Sequence, residues 1–271
     1  MNNFKSLPIK PVYWQILEGC KTEVNQIINV IRQRFQDRIS FDRNDLYELL
    51  REFQPELKES TFAWMIYNLK KRKILKPIKR GVYTLVVKPE YQPDLSDKLK
   101  RIFSAVKREN FSDNICIWSS ACYNEFMIHQ PMRNIIILEV DSDILETVYF
   151  FLKDHIYKKV YLQPDENQML NYAMEEQEPV ILLPFISRSP ITIHEKISTP
   201  ALEKILVDAF VASKLLYWIQ GKELSNIYEG AYNKYQLNFT TLASYARRRG
   251  AEAKLMEFLK QKTDIPQELF I

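Results

Sequence analysis

The chain has 271 residues, of which 46% are hydrophobic and 27% charged, and its formal net charge is +4. This length and apolar content exclude an intrinsically disordered chain and are comfortable for two domains. Only five glycines are present, and neither G-x-G-x-x-G nor G-x-x-x-x-G-K-[ST] occurs in the sequence. We therefore expect no glycine-rich phosphate-binding loop.

Cysteine usage and hydropathy favour a reduced, cytoplasmic protein. The three cysteines are odd in number and show no C-x-x-C spacing, which argues against a disulfide framework and a structural zinc site. The N-terminus lacks the apolar stretch of a secretory signal, and no apolar run approaches the roughly 18 residues of a membrane span. We expect no membrane association, no metal and no cofactor.

Charge is unevenly distributed along the chain. Residues 1–100 hold 19 Lys and Arg against 12 Asp and Glu, whereas residues 101–271 hold 19 against 22. A basic first part joined to a mildly acidic remainder indicates that the first part meets a polyanion.

The first predicted elements are two amphipathic helices. Residues 24–36 repeat apolar side chains with a period of about 3.6 residues, and a brief strand around Ile39 and Phe41 follows. Asp42 is placed to cap a second helix, which Pro55 ends. The predicted apolar faces are Val24, Ile27, Ile28, Ile31 and Phe35 in the first helix and Leu46, Leu49, Leu50 and Phe53 in the second.

A third helix and a basic hairpin complete the first domain. Ser60 is a candidate cap for this helix, and an Arg-Gly turn within IKRGVYTLV joins two short strands after Pro77. Three helices and a hairpin predict a winged helix-turn-helix over residues 1–87, including an N-terminal extension. Its basic cluster packs seven cations into positions 70–80 with no acidic residue, namely Lys70, Lys71, Arg72, Lys73, Lys76, Lys79 and Arg80.

This layout predicts an interface with double-stranded DNA. In a helix-turn-helix the second helix of the pair enters the major groove, and a following run of cations can track the phosphates. Asn68 is the candidate for reading adenine, and the hairpin tip is the candidate for backbone or minor-groove contact. The predicted DNA-binding residues are Lys58, Ser60, Thr61, Trp64, Tyr67, Asn68, Lys70, Lys71, Arg72, Lys73, Lys79 and Arg80.

Two other interpretations of the basic cluster stay open. The partner could be RNA or another polyanion, or the cluster could be a solvated helix end. A helix C-terminus favours a nearby cation by about 0.3–1 kcal/mol. That accounts for two of the cations but not for those in the hairpin.

The sequence resembles the AbiEi-type antitoxins of abortive-infection toxin–antitoxin systems. The likeness rests on L-K-K-R-K-I-L followed by R-G-V-Y-T-L, on I-W-S-S-A-C-Y-N-E-F-M-I-H-Q-P at 117–131 and on T-P-A-L-E-K-I-L-V-D at 199–208. The resemblance implies a phage-defence protein that represses its own operon and neutralises a co-encoded toxin of nucleotidyltransferase type. Its operator would have two half-sites, so either a homodimer or two cooperating monomers on DNA are expected. This chain carries Lys73 where family members often have Gly.

The second part predicts an α+β arrangement. A proline-containing linker at 88–98 leads to an α/β domain at 99–198, and a helical region at 199–271 packs on it. Thr199 and Pro200 are a candidate cap and first residue of a long helix. The predicted strands are 114–118, 134–140, 159–162, 180–185 and 191–193, and helices are predicted near 119–127, 143–155 and 165–177.

One carboxylate pair in the second part raises the possibility of an enzyme. Glu139 and Asp141 stand two residues apart at the end of a predicted strand, a position from which carboxylates hold divalent metals in nucleotidyltransferases and nucleases. The alternative function is therefore a metal-dependent nucleotidyltransferase or nuclease carrying a DNA-targeting winged helix. Paired or capping carboxylates are the competing interpretation, and we assign no catalytic residue.

Two groups are candidates for binding a protein partner. Trp118 and Tyr123 lie in an aromatic-rich segment that either forms core or lines an interface. Arg247, Arg248 and Arg249 precede Gly250, which is typical of a helix C-cap. These arginines are either a solvated helix end, a second phosphate contact or a grip on an acidic partner.

Overall fold

The computed structural model of the chain describes residues 21–85, 88–109, 111, 113–171, 173 and 176–270. Two compact units are present, Met1–Val87 and Lys88–Ile271. Helices and small sheets occur in both, so the α+β class is confirmed. The predicted N-terminal extension at 1–20 and the Val24 side chain lie outside the described residues.

The described part of the first unit has three helices and a three-stranded sheet of order β1-β3-β2, with both pairings antiparallel. The central strand β3 follows the turn of the predicted hairpin, and the short strand β1 closes the other side. The elements are α1 (Lys21–Phe35), β1 (Phe41–Asp42), α2 (Arg43–Phe53), α3 (Glu59–Lys71), β2 (Lys76–Lys79) and β3 (Val82–Thr84).

The predicted start of α2 is confirmed as a capping box. The Asp42 carboxylate accepts a hydrogen bond of 2.7 Å from the Asp45 amide, and the Asp45 carboxylate accepts one of 3.3 Å from the Asp42 amide. Two amide groups that the helix itself cannot satisfy are thereby paired. The helix ends at Phe53, two residues before Pro55.

The predicted cap of α3 is wrong. The helix begins at Glu59, and Lys58 is its N-cap residue without a side-chain hydrogen bond, so Ser60 already lies inside the first turn. Arg43 explains the earlier start, because its guanidinium pairs with Glu59 and lies 4.6 Å from the centre of the Phe62 ring. An acidic residue in the first turn also suits the positive end of the helix dipole.

The core of the first unit joins α1, β1, α2, α3 and β3, and Ile78 of β2 is also buried. Phe35 and Phe41 stack with their ring centres 4.0 Å apart, and this contact ties α1 to the sheet. Phe53, predicted to face the core, is instead 60% exposed. The buried core residues are Ile28, Ile31, Phe35, Phe41, Leu46, Leu49, Leu50, Leu57, Phe62, Met65, Ile66, Leu69, Leu75 and Tyr83.

The second unit is built on a four-stranded mixed sheet of order β4-β5-β7-β6. Strands β5, β7 and β6 run parallel, and β4 pairs antiparallel with β5. The elements up to the start of the helical region are α4 (Asp97–Arg108), β4 (Cys116–Ser119), β5 (Ile136–Val140), α5 (Leu145–His155), β6 (Val160–Leu162), α6 (Glu166–Asn171), β7 (Val180–Pro184), β8 (Ile191–His194) and β9 (Ile197–Pro200). Each of the five predicted strands overlaps one of these.

The two faces of the sheet are covered by different helices. Side chains alternate along β5, so Leu138 and Val140 join the core formed with α4 and α5. Glu139 points to the opposite face, where the helical region lies. That region contains α7 (Leu202–Val211), α8 (Lys222–Lys234), α9 (Phe239–Arg248) and α10 (Glu252–Lys262), and 3₁₀-helices span Ser120–Phe126, Ser142–Ile144, Tyr217–Ile219 and Gln267–Leu269.

The prediction that Thr199 and Pro200 begin a long helix is wrong. Both residues belong to β9, where Thr199 pairs with Thr192 and Pro200 with Ile191. The helix α7 starts after them and ends at Val211. Proline has no backbone N–H group to donate. It is tolerated at the end of this two-stranded hairpin, as in the first turn of a helix, because no donor is required there.

The segment predicted as a linker lies against the second unit. The Pro89 carbonyl accepts a hydrogen bond of 2.9 Å from the Gln236 amide, and the Tyr91 and Tyr235 rings meet edge to face at 5.3 Å. From Asp97 onward the segment is already part of α4. Among the described helices, none combines the length and apolar character that crossing a bilayer requires.

Candidate nucleic-acid interface

One face of α3 is buried and the opposite face is exposed. The buried stripe repeats at helical spacing and consists of Phe62, Met65, Ile66 and Leu69. At about 100° per residue, Ser60, Tyr67 and Lys71 lie in a row on the opposite side. All three are exposed, and Tyr67 retains 57% of its surface. A hydroxyl, a phenol and an ammonium therefore line the outward face of the helix.

The C-terminal end of α3 presents four consecutive exposed cations, Lys70, Lys71, Arg72 and Lys73. Within the part of the chain that the structure describes, none of the four forms an ion pair with a carboxylate. Other cations of the same unit are paired: Arg34 binds Glu52 at 2.9 Å. Unbalanced positive charge is thus concentrated at the end of α3.

The chain leaves α3 through a left-handed turn. The Lys73 amide donates to the Lys70 carbonyl at 2.9 Å, and the Ile74 amide donates to the Leu69 carbonyl at 2.9 Å. This pair of bonds is a Schellman motif, which requires positive φ at the residue after the C-cap. Lys73 occupies that position with φ 58°. The turn keeps Lys73 beside the helix end and leads directly into β2.

The hairpin carries three further cations, Lys76, Lys79 and Arg80. Lys79 pairs with Val82, so Arg80 and Gly81 form a two-residue loop, and the register shifts between Pro77 and Lys79. Gly81 has φ 78° and Arg80 is exposed at the tip. Lys76 lies five positions after Lys71, which limits the distance between their Cα atoms to about 17 Å. The end of α3 and the start of the hairpin therefore lie within this distance of each other.

Three predicted DNA-binding side chains have contacts within the unit. Trp64 is half-buried and packs against the core. The Asn68 side-chain amide donates to the Trp64 carbonyl at 2.9 Å, which commits one of its two N–H groups to its own helix. Thr61 is half-buried, whereas Lys58 is exposed. A bidentate contact from Asn68 to adenine would require this internal bond to rearrange.

Glu139 and Asp141, the predicted carboxylate pair, have different hydrogen-bond partners. Glu139 is buried, and its Oε1 atom accepts a hydrogen bond of 2.7 Å from Lys204. Asp141 accepts bonds of 3.0 and 3.2 Å from the Asn114 side chain. Among the described residues, no group of three or more His, Cys, Asp or Glu side chains is arranged to hold a metal ion.

Trp118 and Tyr123 are core residues, so their prediction as partner-binding residues is wrong. Their exposed fractions are 3% and 0%. Tyr123 donates its hydroxyl to the Ile205 carbonyl at 2.9 Å, which anchors the 3₁₀-helix to α7. Trp118 donates to Glu139 at 3.4 Å.

The three arginines at the end of α9 have separate roles. Arg247 binds Glu252 at 2.6 Å, and Arg248 contacts the Ser187 hydroxyl. Arg249 is largely buried and pairs with Asp208. Gly250 follows with φ 67°, which confirms the predicted C-cap. Arg247 and Arg248 are exposed.

Sequence reasoning missed a buried ionic network around α7. Lys204 is fully buried and bonds Asp208 at 2.5 Å as well as Glu139. The available signal was a Lys and an Asp four residues apart within the apolar run LEKILVDAFV, since such a spacing places both on one helix face. The partner Glu139 comes from a distant strand.

Comparisons with known proteins identify a family but no described activity. No match is found among curated proteins. A crystal structure of the RV2827C protein from Mycobacterium tuberculosis is 12% identical, with 88% of this chain and 82% of that chain covered and a TM-score of 0.23. At that score the likeness does not establish a shared fold. The model of DUF6577, a family of unknown function, matches residues 61–265, and the chain belongs to this family.

Proposed function

We propose that the chain is a DNA-binding transcriptional autorepressor whose first unit is a winged helix-turn-helix. In this proposal α2 and α3 form the helix pair, and the β2–β3 hairpin is the wing. The element order of three helices followed by a hairpin supports the assignment. The exposed row on α3 would face the major groove of the operator upstream of its own gene.

The observation that carries the proposal is the set of four exposed, carboxylate-free cations at the end of α3. Like charges at adjacent positions repel each other, and the helix dipole compensates by only about 0.3–1 kcal/mol each. Binding to DNA supplies the missing anions and releases condensed counterions. Duplex DNA therefore explains an arrangement that stability alone does not.

In this proposal the exposed row on α3 and the hairpin have different tasks. Ser60, Tyr67 and Lys71 would meet base edges or phosphates along the groove. Lys79 and Arg80 would reach the backbone or the minor groove from the hairpin. Trp64 would support α3 from within the unit.

We extend the proposal to an antitoxin role, which rests on the resemblance to AbiEi-type proteins. The second unit would bind a co-encoded toxin of nucleotidyltransferase type, with Arg247 and Arg248 as the accessible part of the predicted contact. Co-expression with the product of the adjacent open reading frame tests this role. Rescue of growth would support it, and unchanged toxicity would contradict it.

A gel-shift titration on the upstream region of the gene tests DNA binding. The triple variant Lys70→Ala, Lys71→Ala and Arg80→Ala removes three candidate phosphate contacts and should weaken binding at least about tenfold. The matched control Lys254→Ala, Lys260→Ala and Lys262→Ala removes the same charge from exposed positions on α10. Equal loss in both variants would show that only net charge matters and would refute the interface.

A further inference from the structure

The hairpin formed by β8 and β9 leaves one edge of β8 open. In the part of the chain that the structure describes, β8 pairs with β9 alone, so no strand covers its other edge. On β8, Ile193 retains 76% of its surface and Ile191 retains 39%, although isoleucine is among the residues most often buried. The two side chains share a face because they stand two positions apart. An open strand edge and an exposed apolar pair therefore occur together.

The register of the hairpin identifies the backbone groups that face this open edge. The Ala201 amide donates to the Pro190 carbonyl at 3.0 Å, which makes these two residues a hydrogen-bonded pair. Bonded and non-bonded pairs alternate along an antiparallel ladder, so Thr192 is bonded to β9 and its two neighbours in β8 are not. Those neighbours are Ile191 and Ile193. Their N–H and C=O groups therefore point away from β9.

The open edge lacks the usual protection against strand addition. Monomeric proteins guard such edges with charged side chains, proline or a β-bulge. Residues 191–193 read Ile-Thr-Ile, and their pairing with β9 is regular. A β-strand is the partner that fits this edge, because it offers backbone groups to the outward N–H and C=O groups and an apolar surface to the isoleucines.

The edge is complementary to itself. A twofold axis can place Thr192 opposite the same residue of a second, antiparallel copy, which sets Ile191 opposite Ile193 of that copy. This register uses both outward-facing residues of each β8 strand and so forms four backbone hydrogen bonds. A twofold axis at either isoleucine would use only one outward-facing residue of each β8 strand. The axis at Thr192 is therefore the favoured one.

We propose that β8 pairs with β8 of a second copy of this chain, giving a homodimer with Thr192 on the twofold axis. The four isoleucines then form one apolar patch on the joined sheet, and no like charges meet at the axis. The contact buries less than about 1,200 Å², so the dimer should be weak and depend on concentration. Such a dimer suits an operator with two half-sites. It can be tested without DNA, so this proposal and the proposed DNA-binding function can fail separately.

Disulfide trapping in the full chain tests the register. At the axis the two Thr192 residues form a non-hydrogen-bonded pair with Cα atoms about 4.5 Å apart, which a disulfide can bridge. Thr192→Cys in a Cys20→Ser background should therefore give a covalent dimer under mild oxidation. Ser198→Cys in the same background is the matched control, because β9 lies one strand further from the axis. It should remain monomeric, as should the background chain, in which Cys116 is buried and Cys122 half-buried.

Sedimentation velocity between about 10 μM and about 1 mM measures the association itself. The wild-type chain should form more dimer as its concentration rises. Ile193→Asp should weaken association at least about tenfold, since a twofold interface contains every substitution twice. The same change at another exposed apolar residue, Met132→Asp, should leave association unchanged. The proposal is overturned by a wild-type chain that stays monomeric, by equal association of these two variants, or by Thr192→Cys cross-linking no faster than Ser198→Cys.

Discussion

Replacing Lys73 with Gly should stabilise the first unit. Lys73 has φ 58° at the left-handed position of a Schellman turn, where Gly250 stands in the equivalent turn after α9. A residue with a Cβ atom loses about 1–2 kcal/mol in this conformation. Glycine in turn lowers the free energy of unfolding by about 0.4–1 kcal/mol, because it makes the unfolded chain more flexible. The net gain expected for Lys73→Gly is therefore about 0.5–1 kcal/mol.

Hydrogen exchange of the full chain, followed by mass spectrometry, measures this change locally. Amides of α2 and α3 that exchange through unfolding of the unit should slow by about two- to fivefold in Lys73→Gly. Peptides from 88–271 serve as the internal reference.

Two further variants separate backbone strain from charge. Lys73→Ala removes the same ammonium but keeps the strained backbone, so it should not slow exchange. Gly250→Ala should accelerate exchange in the second unit, because alanine is strained at this positive φ. An added Cβ atom meets no atom within 4 Å, so the loss of stability arises from the backbone conformation alone. Equal protection in Lys73→Gly and Lys73→Ala would show that charge repulsion, and not backbone strain, governs the turn.

Three other changes have expected outcomes. Asp42→Ala removes the capping box and should cost about 1 kcal/mol, detectable as faster exchange of the first α2 amides; unchanged exchange would contradict the cap. Lys204→Ala leaves the buried Glu139 carboxylate without its cation and should cost about 3–5 kcal/mol in the denaturant-induced unfolding of the second unit, and a loss below about 1 kcal/mol would contradict the network. Burial alone would raise the Glu223 pKa, but hydrogen bonds from His129 and the Ile128 amide outweigh it and lower the pKa below 4.5. Protection of the Ile128 amide should therefore persist above pH 4.5 and be lost as the pH falls through the folded-state value, and Glu223→Gln should flatten this dependence.

Periodicity predicted most elements of the first unit because each presents one face to the core. The stripe of Phe62, Met65, Ile66 and Leu69 and the Asp42 cap both follow from local spacing. The start of α3 does not follow from local spacing, because the ion pair between Arg43 and Glu59 joins two different helices. Such a contact is visible only after the helices pack.

The second unit conceals its network for a related reason. All five residues of β5 are buried, so the usual alternation that would mark Glu139 as facing a different layer disappears. Its partner Lys204 lies 65 positions away and meets it only through the packing of α7 on the sheet. The hairpin at Glu195 and Lys196 was also hidden, since both residues adopt positive φ without the Asn or Gly that usually announces such a turn.

The salt dependence of operator binding tests the central claim most directly. If about half of the seven cations between Lys70 and Arg80 neutralise phosphates, log K against log salt should have a slope near −3 for a monomer and about twice that for a dimer. Lys70→Ala should reduce the monomer slope by about one. A wild-type slope close to zero, or a slope that survives removal of Lys70, Lys71 and Arg80 unchanged, would contradict a DNA-binding role for this surface.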